Sequence, residues 1–142
     1  MEFFDVLVRY EVTLWNAVDR ELGQQGQISL GQLHALRVVS RYGGRARVQE
    51  LSSDIGITVG AASKLANRLE RDGLASRSPN PANRRSSLIA LTAAGQQALA
   101  SAMVVYRGVV ARAVGEEDIE GLTAALLRLQ ARLGEPGAGA AA

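Results

Sequence analysis

Thr58-Val-Gly-Ala-Ala-Ser-Lys-Leu-Ala-Asn-Arg-Leu-Glu-Arg-Asp-Gly73 runs straight into Leu74-Ala-Ser-Arg-Ser-Pro-Asn-Pro-Ala-Asn-Arg-Arg-Ser-Ser-Leu-Ile-Ala-Leu91. The first half reads as a helix with both ends marked. Thr58 can accept an orphan amide of the first turn, and Gly73 supplies a left-handed residue at the close, with Leu74 packing back. Ala62, Leu65, Ala66 and Leu69 fall at helical spacing on one apolar face, while Gly60, Ser63, Lys64, Asn67, Arg68 and Arg71 populate the other. A helix that enters a major groove about 12 Å wide needs small or hydrogen-bonding residues at base edges and cations at phosphates. This outward face has both.

The flanks fit the same reading. Val48-Gln-Glu-Leu-Ser-Ser-Asp-Ile55 predicts a short helix stopped by Gly56, giving the tight two-helix turn of a helix-turn-helix, with Leu51 and Ile55 packed on Leu65 and Leu69. Downstream, residues 75–78 and 86–91 are strand candidates around the turn-rich Pro79-Asn80-Pro81-Ala82-Asn83, beside which stand Arg84 and Arg85. Arginines at such a tip suit a minor groove, whose narrow A·T stretches concentrate negative potential. The whole chain carries a formal charge of only +2. Residues 58–91, however, set six cations (Lys64, Arg68, Arg71, Arg77, Arg84, Arg85) against Glu70 and Asp72, a net +4 that leaves the remainder at −2. Positive charge is therefore segregated onto the expected contact surface, with Thr58, Gly60, Ser63, Lys64, Asn67, Arg68, Arg71, Arg84 and Arg85 as its candidate DNA-binding residues.

Leu51 to Gly56, the capped helix, Leu69-Glu70-Arg71-Asp72-Gly73-Leu74, Asn80-Pro81-Ala82-Asn83-Arg84-Arg85 and Leu91-Thr92-Ala93-Ala94-Gly95 together resemble the core of the MarR (multiple antibiotic resistance regulator) family. The resemblance implies a homodimeric winged-helix transcription factor, usually a repressor, whose wing arginine enters the minor groove. That arginine would be Arg84. It also implies a small lipophilic or phenolic effector, bound between the dimer helices and the DNA-reading lobe by Tyr10, Leu14, Trp15, His34 and Arg37. The family's usual wing has an acid immediately before the paired arginines, where it can hold the arginine side chain; this chain has Asn83.

Outside the DNA-reading segment three long helices are expected. On the first, Phe3, Leu7, Tyr10, Leu14 and Ala17 form one apolar stripe and Phe4, Val8, Trp15, Val18 and Leu22 a second. After Thr92, Leu99, Met103, Tyr106, Val110 and Ala113 keep alternating four-and-three spacing, as do Ile119, Leu122, Leu126, Leu129 and Leu133. These stripes read as seams for pairing, since a monomer of 142 residues would leave apolar helix faces uncovered. A fourth helix starts at the capping box Ser29-Leu-Gly-Gln32, with Leu33, Leu36, Val38 and Val39 on its buried face up to Gly43-Gly44.

The expected architecture is mainly α with a small β-hairpin wing. A single domain spans 1–134, with the winged helix-turn-helix at about 29–91, dimerisation helices at about 2–23 and 93–134, and a small-residue disordered tail at 135–142. The first residues lack the cationic start of a signal peptide and no apolar run reaches the length of a membrane span, which points to a cytoplasmic protein with no membrane partner. There is no cysteine and a single histidine, so thiol redox sensing, a metal site and a histidine-oriented nucleophile are not expected. The glycines read as turn and cap residues, not as a phosphate cradle, and no cofactor or enzymatic activity is expected. The functional expectation is a sequence-specific regulator of transcription that binds a pseudo-palindromic duplex operator. The alternative is a winged-helix protein-interaction module without an operator, for which the outward face of residues 59–71 should be apolar or acidic; it is basic.

Overall fold

The computed structural model describes residues 1–134; the tail expected at 135–142 lies outside them. Among the described residues the order is α1 (Phe3–Gln24), α2 (Leu30–Arg41), α3 (Val48–Ile55), α4 (Val59–Arg71), β1 (Ala75–Pro79), β2 (Ser87–Leu91), α5 (Ala93–Val114) and α6 (Ile119–Leu133). The strands form an antiparallel hairpin in which Ala75 faces Leu91 and Pro79 faces Ser87. A further pairing was not legible in the sequence: Gly43 and Gly44, both at positive φ, turn the chain after α2 and deliver Ala46 to Ile89, whose amide donates to the Ala46 carbonyl at 2.7 Å.

Helix ends follow the residues that cap them. Ser29 accepts from the Gln32 amide at 3.2 Å while Gln32 Oε1 accepts from the Ser29 amide, so both halves of the capping box are made. At α3 the Glu50 carboxylate accepts the Arg47 amide at 2.8 Å and is also held by the Arg47 guanidinium. Gly56, at φ 80°, ends α3 in the left-handed region.

Two apolar clusters divide the molecule. Leu36, Val39, Ala46, Leu51, Ala62, Ala66, Leu69, Leu74 and Ile89 form the core of the reading lobe, with Ile55 and Leu65 packed against it as expected. Val18, Leu22, Leu30, Leu33, Ala102, Val105 and Val109 form the second, joining α1, α2 and α5. The α5 stripe read as a pairing seam is largely spent inside the chain: Leu99, Met103, Tyr106 and Val110 pack on this second cluster. By contrast α6 buries no residue at all, and Phe3, Phe4, Val8 and Tyr10 of α1 remain exposed. Apolar surface left open on the two terminal helices is what a second chain would cover.

Candidate nucleic-acid interface

Helix α4, the one expected to read DNA, is fixed at both ends. Thr58 Oγ1 accepts the Ala61 amide at 3.1 Å. At the other end Gly73 N–H reaches Glu70 O at 3.0 Å and Leu74 N–H reaches Leu69 O at 2.9 Å, the paired bonds of a glycine-closed helix, with Leu74 buried behind them. Ala62, Ala66 and Leu69 are buried and Leu65 is half-buried. Gly60, Lys64, Asn67 and Arg71, at spacing four, three and four, are all exposed, Arg68 is exposed on the flank, and Ser63 is half-buried. No side chain of the described residues covers this face except along its wing side.

The wing tip is ordered by two asparagines. Asn80, nearly buried, accepts the Ala82 amide at 3.0 Å through Oδ1 and donates from Nδ2 to Ser86 Oγ at 2.9 Å. Asn83 Oδ1 accepts the Arg85 amide at 3.0 Å, and the Asn83 carbonyl accepts the Ser86 amide at 3.1 Å. Asn83 thus fixes the backbone that carries the arginines, although a neutral amide supplies no charge to hold a guanidinium. Arg84 and Arg85 are exposed and engage in no ion pair among the described residues.

Sequence reasoning missed the distant partners of two side chains that hold this surface together. Gln32, buried at the start of α2, donates from Nε2 to Asp72 Oδ2 at 2.8 Å and so ties α2 to the last turn of the reading helix. The signal was present, because a capping-box glutamine, unlike a glutamate, keeps a donor to spare. Arg77 on β1 donates from Nη2 to Asn67 Oδ1 at 2.6 Å, and its Nε lies 3.8 Å from Glu70 Oε2. A bond spanning ten residues between helix and strand leaves no periodic trace.

The reading lobe joins the long helix without a loose linker. Thr92 Oγ1 donates to the Gly73 carbonyl at 2.6 Å and accepts the Gly95 amide at 3.0 Å, while the Thr92 amide donates to the Leu74 carbonyl at 3.1 Å. Gly95, expected as an ordinary cap residue, instead lies so close to Leu74 that a Cβ there would sit 1.9 Å from the Leu74 oxygen.

Of the effector-contact residues, Trp15 and His34 come together with ring centroids 5.4 Å apart, and the Arg37 guanidinium lies 5.2 Å from the Tyr106 ring centre. Leu14 is packed on the α1–α2–α5 cluster, whereas Tyr10 is exposed. A cleft of about 850 Å³ opens beside them between α2, β2 and α5, lined by Arg37, Leu91, Leu99, Met103 and Arg107 among others. Arg37 is the only one of the five expected residues on its wall.

Two groups give the fold a dependence on pH in separate windows. Burial, aided by the nearby Arg37 charge, lowers the His34 pKa below its ordinary 6.5. The unfolded chain therefore takes up this proton first, and stability falls as pH drops below about 6.5. The Arg47 guanidinium holds Glu50 below its ordinary 4.5, so that contribution is present above 4.5 and is lost only as pH falls further. Melting temperatures between pH 7 and 5 should decline less in His34→Gln than in the parent, while Glu50→Gln should alter the profile only below that range.

Residues 28–87 match the sequence profile of the MarR family. No curated protein sequence matches the chain. Among solved structures, the chain is similar to the Mycobacterium tuberculosis transcriptional regulator MosR in complex with DNA, at 25% identity over 94% of this chain and 96% of that one, with a TM-score of 0.78. It is also similar to a MarR-family transcriptional regulator from Rhodococcus sp. RHA1, at 20% identity over 93% and 95% of the two chains and a TM-score of 0.78. CouR from Rhodococcus jostii RHA1, solved with p-coumaroyl-CoA, has 20% identity, coverage of 89% and 88%, and a TM-score of 0.78.

Proposed function

Since residues 28–87 match the MarR family profile, we propose that the chain belongs to that family and is a homodimeric, ligand-responsive repressor of transcription that grips a pseudo-palindromic duplex operator. The observation that carries the reading is the pairing of an uncovered α4 face bearing Gly60, Lys64, Asn67 and Arg71 with a wing that presents Arg84 and Arg85 beside it. Thr58, whose hydroxyl hydrogen stays free after capping, and Arg68 meet phosphates; Ser63, Lys64 and Asn67 address bases. Two copies related by a two-fold axis read half-sites about one helical turn apart, roughly 10 bp. The outward face is basic, which favours DNA over the protein-interaction alternative. No single described helix is long and apolar enough to cross a membrane.

Footprinting on the promoter beside the protein's own gene, together with sedimentation, tests this. Two protected half-sites and a dimer are expected; a micromolar monomer protecting one asymmetric half-site overturns the reading. Arg84→Ala should cost on the order of 1 to 3 kcal/mol in operator binding, more on A·T-rich than on G·C-rich flanks. Equal binding of both flanks at parental affinity would remove the wing from the interface.

Effector binding belongs to the cleft between α2, β2 and α5, whose volume falls in the range of small-molecule sites. Leu99 and Met103 offer an apolar wall, Arg37 and Arg107 a cationic rim, and this combination suits a lipophilic or phenolic acid. That CouR is solved with p-coumaroyl-CoA supports the class of ligand. A phenolic acid that raises the melting temperature of the parent but not of Arg37→Ala, and releases operator DNA, is the expected result.

A further inference from the structure

Asn67 stands on the outward face of α4, in line with Gly60, Lys64 and Arg71. Its carboxamide is not free to choose which end it shows. Arg77 Nη2 donates to Asn67 Oδ1 at 2.6 Å, and a guanidinium has donors only, so the amide oxygen has to face the wing and the amino group has to face away from it. Arg77 is itself held in place. Its Nε is buried and makes no hydrogen bond, and the Glu70 carboxylate one helical turn along from Asn67 lies 3.8 Å from it. Among the described residues Asn67 Nδ2 has no partner.

We propose that Arg77 is a specificity-determining positioning residue: by locking the Asn67 carboxamide it shows the groove the amino end alone, which favours guanine, with two acceptors on its edge, over adenine, with one acceptor beside an amino group. The inference rests on α4 being the element that enters the major groove. An unrestrained asparagine reads adenine through both ends at once, its oxygen accepting from N6 and its amino group donating to N7. Here an adenine N6 amino group seeking Oδ1 meets the charge and bulk of the guanidinium. Nδ2 can donate to guanine N7 or O6, to thymine O4 or to adenine N7, but at adenine it does so without the second bond and beside an N6 amino group that faces the guanidinium. Because the arginine never touches the base, its effect appears as a change of preference at one base pair per half-site.

Selection from randomised duplexes, followed by sequencing, tests this with the full-length dimer. The base pair read by Asn67 is the one whose preference flattens in Asn67→Ala. At that pair the parent should favour guanine over adenine by about five- to tenfold. Arg77→Gln replaces a donor-only partner by one that can donate or accept, so the carboxamide can turn over, and adenine should rise to within about twofold of guanine while the other positions keep their preferences. Arg77→Lys, a donor only, should retain the parental preference wherever its ammonium reaches Oδ1. Asn67→Asp keeps an acceptor for Arg77 and deletes the outward donor, and should lose the preference without disturbing the strand; the parent's own preference, adenine for an unrestrained asparagine and guanine for a locked one, decides the matter even if Arg77→Gln fails to fold. Parental enrichment of adenine at this pair, or an Arg77→Gln protein with the parental preference, overturns the proposal. A parent that enriches no site overturns the DNA-reading function beneath it, and the two failures are distinct.

Discussion

Gly95→Ala is expected to be among the most damaging single substitutions in this protein, although it adds only one methyl group. The added Cβ would lie 1.9 Å from the Leu74 oxygen, 2.9 Å from its carbonyl carbon and 3.3 Å from its Cα. All three are backbone atoms, and the Leu74 carbonyl is pinned by the Thr92 amide and cannot step aside. Relief requires α5 to lift off the reading lobe, breaking the Thr92 bonds to Gly73 and Leu74. A cost of about 3 kcal/mol or more follows, near the upper end for overpacking. For a chain of this size that lowers the melting temperature by roughly 10 °C. Ala94→Gly, at the exposed neighbour, is the control and should cost no more than about 1 kcal/mol. A Gly95→Ala protein melting within a few degrees of the parent would show that helix and lobe do not meet so closely.

A second large effect is expected at α6, where the single chain gives no reason for one. Leu126 is 46% exposed and α6 buries nothing, so Leu126→Asp in a monomer should change stability by no more than about 0.5 kcal/mol. In a dimer sealed by Leu122, Leu126 and Leu129 the same change buries an unpaired carboxylate in each half of the seam. Pairing should weaken by about 3 kcal/mol or more, roughly a hundredfold in the dimer dissociation constant, and operator affinity should fall with it. Sedimentation equilibrium and a binding titration on the same variant read the two effects. A Leu126→Asp chain that still pairs at parental affinity would move the seam elsewhere, to the exposed face of α1.

Local signals made most of this fold legible. Thr58, Gly73, Ser29 with Gln32, and Gly56 all cap or close the helices they were expected to, because capping is decided within four residues of chain. The apolar spacing of Ala62, Ala66 and Leu69 gave the buried face of α4 for the same reason. Side-chain partners far apart in sequence were not legible. Nothing local tells that Arg77 reaches Asn67, that Gln32 reaches Asp72, or that Gly95 is a close-approach residue and not a cap. Nor does a four-and-three stripe reveal which partner covers it: Leu99, Met103 and Tyr106 pack with α1 and α2 of their own chain, while the similar stripe on α6 is left unburied. Of the five effector-contact residues expected, Arg37 alone lines the cleft between α2, β2 and α5, because such a cleft arises from three elements that no single stretch of sequence brings together.

The joint at Thr92 has a mechanical consequence. Gly73 and Leu74 close the reading helix, and the same two carbonyls receive the hydroxyl and amide of the residue that starts α5. Gln32 clamps the neighbouring Asp72 from the other side. The recognition helix is therefore geared to an arm about 33 Å long, twenty-two residues at 1.5 Å each. One degree of tilt at the joint displaces the far end of that arm by about 0.6 Å. In a paired molecule the tilt of the two arms and the separation of the two reading heads become one variable, so a ligand that binds without tilting α5 leaves DNA affinity unchanged however tightly it binds. The spacing between operator half-sites then acts as a ruler, and spacers lengthened or shortened by one base pair, with effector present and absent, measure the angle at which the arms are set.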